Sequence, residues 1–139
     1  MTADVLIIGN GPAGLASAIT LRQHGASVTV VHRPAAEDIR VGESLAASAR
    51  YSLMELGLWD DFLAAGHSSC YGNSSCWGDD RLFFYDFIQS ASGEGWYVNR
   101  PAFQSMLLRK AVAAGVRFIE TNRAFKLVRE DIGWKYTEG

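Results

Sequence analysis

Three glycines near the amino end have the spacing of a turn that binds phosphate. Gly9, Gly11 and Gly14 match the pattern G-x-G-x-x-G. The first permits a tight bend after a strand, the second lets a pyrophosphate approach the backbone, and the third lets a helix pack close to the sheet. The helix that follows offers free N–H groups and the positive end of its dipole to a diphosphate. The pattern predicts a dinucleotide site formed by Gly9, Gly11, Pro12, Ala13 and Gly14, and the alternative is a glycine-rich turn that binds nothing.

The ribose side of this site departs from the usual pattern. An Asp or Glu about twenty residues beyond the glycines normally binds the ribose hydroxyls. His32 and Arg33 stand there instead, at the end of a second apolar run. His32 can hydrogen-bond a ribose or cap the following loop, and Arg33 can face a 2′-phosphate or lie in solvent. The turn alone does not separate NAD, NADP and FAD.

The elements around the turn are those that its chemistry needs. Residues 4–8 form a short run of branched apolar side chains, typical of a strand buried on both faces. Residues 15–24 have helical spacing and stop at Gly25, and residues 28–32 predict a second buried strand. Strand, glycine turn, helix and strand within about thirty residues form one βαβ unit.

After residue 33 this alternation stops. We expect helices over 44–56 and 58–65, two or three antiparallel strands over 68–98, a helix from Pro101 to Gly115, a third parallel strand over 116–120 and a hairpin from 124–129 and 134–137. The predicted fold class is α/β, with a Rossmann-like βαβ unit of parallel strands plus inserted helices and antiparallel strands. Its segments are 1–33, 34–100 and 101–139. Because a doubly wound sheet needs further strands beside the first one, we expect an N-terminal piece of a larger domain, incomplete at its C-terminus.

Composition restricts the class of protein. The 139 residues carry a formal net charge of −2, which argues against nucleic acid or an anionic membrane as a partner. With 48% apolar residues the chain can form a core, and its apolar runs are too short for a signal sequence or a membrane span. Cys70 and Cys76 match neither a redox pair nor a zinc framework, and the three histidines complete no metal site. These features predict a soluble cytoplasmic protein without a metal.

Several stretches carry a family resemblance. The first three are residues 9–14, residues 40–45 (Arg-Val-Gly-Glu-Ser-Leu) and residues 95–103 (Gly-Trp-Tyr-Val-Asn-Arg-Pro-Ala-Phe). Together they resemble the FAD-dependent monooxygenases and halogenases of the hydroxybenzoate-hydroxylase superfamily. Residues 56–59, 76–80 and 86–88 are similar to the flavoproteins of that superfamily that help to mature tryptophylquinone cofactors. The resemblance covers essentially the whole chain.

The resemblance implies FAD as the cofactor, with NAD(P)H as a candidate reductant. It places Arg40 near the diphosphate, and it makes Gly42, Glu43 and Ser44 a loop along the flavin nucleotide. An ordinary solvated arginine is the alternative for Arg40. Ser44 is equally suited to cap the helix that is expected to begin there.

Two further residues enter the predicted cofactor site. Arg100 stands where a helix begins, and a cation there opposes the helix dipole, which favours an anionic partner such as the nucleotide. Ala124 follows the third parallel strand, where the resemblance implies that backbone groups contact the adenine.

The resemblance implies oxygen insertion into an aromatic ring, either of a small molecule or of a tryptophan on a partner protein. A flavin-dependent halogenase is an alternative, although the essential lysine of tryptophan halogenases has no counterpart here, since the first lysine is Lys110. Two further alternatives are a nicotinamide-dependent dehydrogenase and a truncated remnant that binds a nucleotide without turnover. We assign no catalytic residue, and we expect the isolated chain to bind a dinucleotide without consuming NAD(P)H.

Aromatic side chains cluster on the predicted antiparallel strands. They form either a wall over the flavin or part of the core, and they are Trp77, Phe83, Phe84, Tyr85, Phe87 and Trp96. Trp77 and Trp96 are the better candidates for a wall, because an adjacent glycine permits close backbone approach. Asp79 and Asp80 are expected in a solvated turn rather than at a metal.

Overall fold

The computed structural model describes residues 2–34, 43–87 and 92–139. The elements follow the order β1 (Val5–Ile8), α1 (Pro12–Gln23), β2 (Val28–His32), β3 (Glu43–Leu45), α2 (Ala49–Glu55), α3 (Trp59–Ala64), β4 (Ser68–Cys70), β5 (Gly72–Ser75), β6 (Phe83–Asp86), β7 (Gly95–Val98), α4 (Arg100–Ala113), β8 (Arg117–Glu120), β9 (Phe125–Arg129) and β10 (Trp134–Glu138).

A parallel sheet in the order β1, β2, β8 positions the glycine turn. Ile8 lies opposite Val31 and His32 lies opposite Glu120, so the three strands end at the same edge. Strand β2 is the most deeply buried because it lies between the other two. The turn after β1 therefore leaves the sheet at its carboxyl edge, which is where sheets of this kind bind ligands. The α/β class, the βαβ unit and the third parallel strand are confirmed.

Helices α1 and α4 pack side by side and run in the same direction. Near the end of α1, Arg22 donates through Nε to the carbonyl of Ala114, directly after α4, at 2.9 Å. At the other end, Gln104 in α4 donates to the carbonyl of Asn10, just before α1. Because the beginnings of α1 and α4 contact each other and their ends contact each other, the N-termini of both helices lie beside the glycine turn.

One hydrophobic core receives side chains from all three predicted segments. At its centre Phe62, only 1% exposed, contacts the rings of Trp96 and Phe103 at centroid distances of 5.4 and 5.9 Å. Its other buried members include Leu15, Ala18, Ile19, Val28, Val30, Leu53, Met106, Leu107, Ala111 and Val116. This packing fixes α1 and α4 against each other, and with them the edge that carries the turn.

The inserted segment forms two antiparallel sheets, one in the order β3, β7, β4 and the other of β5 and β6. The described part of residues 68–98 thus contains four strands, where two or three were expected. Strands β9 and β10 pair as the expected hairpin. Among the described residues, no helix is long and apolar enough to cross a bilayer.

The expected helix over 44–56 is wrong in its first part. Ser44 lies in β3 opposite Tyr97 of β7, and α2 is limited to Ala49–Glu55. Ser44 therefore caps no helix. The residue types favour a helix locally, but the backbone groups of β3 find partners in β7, and tertiary pairing of this kind overrides local propensity.

Candidate functional site

The glycine turn has the open geometry that a diphosphate requires. Gly9 has a φ of +98°, which L side chains rarely adopt. A Cβ at Gly11 would meet no heavy atom of the described residues within 4 Å, so the space beside this residue is open to them. A Cβ at Gly14 would lie 2.3 Å from the carbonyl oxygen of Gly9, so α1 can pack against the turn only without a side chain there.

The start of α1 presents backbone N–H groups that find no acceptor within the described ranges: those of Asn10, Gly11, Ala13 and Gly14. The first turn of α1 contains no acidic residue, and its N-cap position, occupied by Gly11, has no side chain to bond these groups. Within the described residues, the positive end of the helix dipole is therefore not neutralised. Such a set of donors suits the oxygens of a diphosphate, and the residues of the turn fit a dinucleotide.

Gln104 joins α4 to this turn, and sequence reasoning missed it. Its Nε2 donates to the carbonyl of Asn10, while its Oε1 is buried and has no hydrogen-bond partner among the residues that the structure describes. The two residues are 94 positions apart, so no local pattern signals the contact. The pairing becomes visible only once α1 and α4 are known to be parallel.

Arg100 has a protein partner. Its Nη1 donates to Oε2 of Glu43, and its side chain is 11% exposed, against 52% for Glu43. Glu43 thus supplies a carboxylate beside the start of α4, which is favourable there, and the contact of Arg100 with the nucleotide stays a prediction. Asn99 caps α4 by accepting a hydrogen bond from the N–H of Ala102 at 3.2 Å. Because Arg100 lies one helical turn before Gln104, the ion pair lies on the side of α4 that reaches the glycine turn.

His32 lies at the carboxyl end of β2 with a defined ring orientation. Its Nδ1 is 2.9 Å from the carbonyl oxygen of Arg33 and 4.0 Å from Oε2 of Glu120. A carbonyl only accepts, so Nδ1 carries the proton of the neutral ring and Nε2 is an acceptor. Arg33 itself is exposed. The hydrogen bond to the neighbouring Arg33 is the loop-capping contact that is one of the two alternatives for His32. The contact with the ribose stays a prediction.

The other predicted site residues are placed as follows. Ser44 is exposed on β3 and lines a cavity of about 180 Å³ together with Cys70 and Phe87. Ala124 directly precedes β9, and its carbonyl accepts a hydrogen bond from the N–H of Gly139 at 2.9 Å. Arg40 and Gly42 lie outside the described residues.

The aromatic cluster divides into core and surface. Trp96 and Phe87 are buried, whereas Trp77 is 84% exposed. A Cβ at Gly95 would lie 2.6 Å from the carbonyl oxygen of Leu45, so the close approach permitted by this glycine is to β3. The core interpretation is therefore wrong for the exposed side chains, which are Trp77, Phe83, Phe84 and Tyr85.

His67 packs against the aromatic side chains of the core, near the start of α4. Its ring centroid is 4.4 Å from that of Phe62, and its Nδ1 accepts a hydrogen bond from the N–H of Asn99 at 3.3 Å. Burial lowers the pKa of His67, because the charged ring loses its hydration. This histidine is a structural group under the start of α4.

No metal centre accompanies the turn in the part of the chain that the structure describes. Asp79 accepts a hydrogen bond from the N–H of Arg81 at 2.9 Å, as in a turn. Cys70 and Cys76 are free thiols, the first buried and the second exposed.

Together, the parallel sheet, the open turn at its carboxyl edge and the free helix N-terminus define an α/β dinucleotide-binding domain. Comparison with protein families assigns the cofactor, because residues 2–134 match the family described as FAD binding domain. The chain belongs to this family, and its dinucleotide is FAD. The family assignment decides among NAD, NADP and FAD, which the turn alone left open.

Individual relatives are flavoenzymes. The chain is 34% identical, over 83% of its length, to the 1H-pyrrole-2-carbonyl-(peptidyl-carrier protein) brominase of Pseudoalteromonas luteoviolacea, of which it covers 28%. It is 30% identical, over 95% of its length, to the putative FAD-dependent oxidoreductase LodB of Marinomonas mediterranea, of which it covers 36%. Among solved structures, the myxobacterial chondrochloren halogenase CndH superposes with a TM-score of 0.79 at 27% identity, over 98% of this chain and 33% of that one. The chain thus spans about a third of the length of these relatives.

Proposed function

We propose that this chain is the FAD-binding portion of a flavin-dependent monooxygenase that acts on an aromatic ring. The observation that carries the proposal is the open glycine turn. Its N–H groups lie at the carboxyl edge of the sheet, and no described residue places a heavy atom within 4 Å of a Cβ at Gly11. In this arrangement the turn residues Gly9, Gly11, Pro12, Ala13 and Gly14 hold the diphosphate of FAD.

His32 takes the ribose-binding position at the end of β2. Because its Nδ1–H is donated to the carbonyl of Arg33, its Nε2 is the ring nitrogen that would accept a hydrogen bond from a ribose hydroxyl. This is the same acceptor role that a carboxylate has at this position. Arg33, exposed and next along the chain, would face the solvent side of the adenosine.

Arg100 supplies a cation at the same end of the molecule. Its guanidinium has five N–H donors, and the bond to Glu43 uses Nη1. The remaining donors are suited to a phosphate oxygen, so the carboxylate holds the guanidinium in place for the nucleotide. Contacts of Arg40, Gly42, Ser44 and the Ala124 backbone with the nucleotide belong to the same proposal.

Bound FAD would supply the redox chemistry, with NAD(P)H as the proposed reductant, while the protein binds and orients it. The proposed substrate is an aromatic ring, of a small molecule or of a tryptophan on a partner protein. The similarity to the putative FAD-dependent oxidoreductase LodB along 95% of the chain supports an FAD-dependent oxidoreductase, the class to which the proposed monooxygenase belongs. A halogenase is the second candidate, favoured by the similarity to the brominase and to CndH. A cytoplasmic location is part of the proposal.

The experiment is a titration of the purified chain with FAD, FMN and NADPH, followed by flavin fluorescence or calorimetry. FAD should bind at least about tenfold more tightly than FMN, because FMN lacks the diphosphate and the adenosine that the turn and His32 recognise. The isolated chain should not oxidise NADPH. Equal affinity for FAD and FMN, or tighter binding of NADPH than of FAD, would contradict the proposal. For a whole flavoprotein carrying this domain, an oxygenated product supports the monooxygenase, and a product that requires added halide supports the halogenase.

A further inference from the structure

Gln104 contacts the glycine turn although it belongs to a different part of the sequence. Its Nε2 donates to the carbonyl of Asn10, and its Oε1 is buried with no hydrogen-bond partner in the described part of the chain. Because a carbonyl only accepts, this contact fixes which end of the amide faces the turn. The side chain therefore holds one peptide group of the turn from the side of α4.

The peptide group that Gln104 holds carries one of the free donors. The carbonyl of Asn10 and the N–H of Gly11 belong to the same planar trans peptide, so they point in opposite directions. With the carbonyl bonded on the α4 side, the N–H of Gly11 is directed away from α4. This N–H has no acceptor among the described residues.

We propose that Gln104 is a positioning residue for the diphosphate site. It fixes the orientation of the Asn10–Gly11 peptide and thereby aims the N–H of Gly11 at the nucleotide before the nucleotide arrives. The proposal rests on the proposed function, since the ligand it serves is the diphosphate of FAD. A donor that is oriented in advance binds more tightly because less ordering is required on binding.

The unpartnered Oε1 separates this role from simple packing. An apolar side chain of similar length removes this unpaired acceptor but leaves the carbonyl of Asn10 without its donor, so the two effects oppose each other and stability should change little. What glutamine adds at this position is the Nε2 donor. Loss of that donor should therefore affect the turn more than the fold.

The test compares Gln104→Met with Gln23→Met in the full chain. Gln23 is a matched control, because its Nε2 also donates to a backbone carbonyl, that of Glu55 at 3.4 Å, at the far end of α1. Gln104→Met should bind FAD about tenfold more weakly than the wild type while its thermal midpoint stays close to that of the wild type. Gln23→Met should leave FAD affinity unchanged. Without FAD, the amide resonance of Gly11 should shift in Gln104→Met and stay in place in Gln23→Met.

A second variant keeps the shape of the side chain. Gln104→Glu sets a carboxylate against the carbonyl of Asn10, so it should weaken FAD binding more than Gln104→Met. The inference is overturned if Gln104→Met binds FAD within twofold of the wild type, or if Gln104→Glu retains wild-type affinity. In those cases the wild type still binds FAD and the proposed function stands. A wild-type chain that does not bind FAD overturns both.

Discussion

A valine at position 11 should abolish FAD binding while leaving the fold intact. Gly11 has φ −66° and ψ 173°, an extended conformation that a β-branched residue adopts without strain. The new Cβ would project into space that holds no heavy atom of ranges 2–34, 43–87 and 92–139 within 4 Å. The free energy of unfolding should therefore change by less than about 0.5 kcal/mol, as for other surface substitutions.

The effect on binding should be far larger, because the valine occupies the position where the pyrophosphate approaches the backbone. If two hydrogen bonds between N–H groups and the charged diphosphate are lost, at about 1.5–3 kcal/mol each, the binding free energy falls by about 3–6 kcal/mol. Since about 1.4 kcal/mol corresponds to a tenfold change, the dissociation constant should rise by more than about a hundredfold. Flavin fluorescence titration measures the affinity, and urea unfolding measures the stability.

Gly14→Ala is the matched contrast to Gly11→Val. The added Cβ would lie 2.3 Å from the carbonyl oxygen of Gly9, which is backbone, so the turn or α1 must shift. We expect a loss of about 1–3 kcal/mol in the free energy of unfolding. The reasoning is refuted if Gly11→Val keeps FAD affinity within threefold of the wild type, or if it unfolds as easily as Gly14→Ala.

Three further changes test the framework around the site. Arg22→Met removes the two hydrogen bonds that the Arg22 guanidinium donates to the carbonyls of Ala26 and Ala114, which follow α1 and α4. The free energy of unfolding, measured by urea titration, should fall by about 1–3 kcal/mol. An unchanged urea midpoint would show that these hydrogen bonds do not stabilise the fold. Glu43→Gln leaves the guanidinium of Arg100 without its charge partner, so the free energy of unfolding should fall by about 1 kcal/mol. Because salt screens the ion pair, the loss should be smaller in high salt. A loss that does not depend on salt would argue against an ionic cause. Burial lowers the pKa of His67 below its ordinary 6.5, so the folded state favours the neutral ring. The free energy of unfolding should therefore fall as the pH drops below 6.5. Urea unfolding on both sides of pH 6.5 should show this pH dependence in the wild type, and His67→Phe should lack it.

The local features of this fold could be read from the sequence. The glycine turn, the βαβ unit and the third parallel strand all depend on short stretches in which residue type alone determines backbone conformation. Gly9 illustrates this, because its positive φ is a property of the turn itself. For such stretches, local chemistry and the observed structure agree.

The contacts that connect distant segments could not be read in this way. Glu43 and Arg100 are 57 residues apart and Gln104 and Asn10 are 94 apart, so no periodicity brings them together. The wrong assignment of Ser44 to a helix has the same origin, since β3 exists only because β7 pairs with it. The glycine turn of the site is thus determined by its local sequence, whereas the residues that support the turn are brought to it by tertiary contacts.

The most direct test of the central claim follows the backbone amides of the turn in the wild-type chain by NMR. On addition of FAD, the amide resonances of Asn10, Gly11, Ala13 and Gly14 should shift and their hydrogen exchange should slow, because these N–H groups then donate to the diphosphate. Riboflavin, which has no phosphate, should leave them unchanged. If FAD binds and these four amides neither shift nor gain protection, the diphosphate lies elsewhere and the account is contradicted.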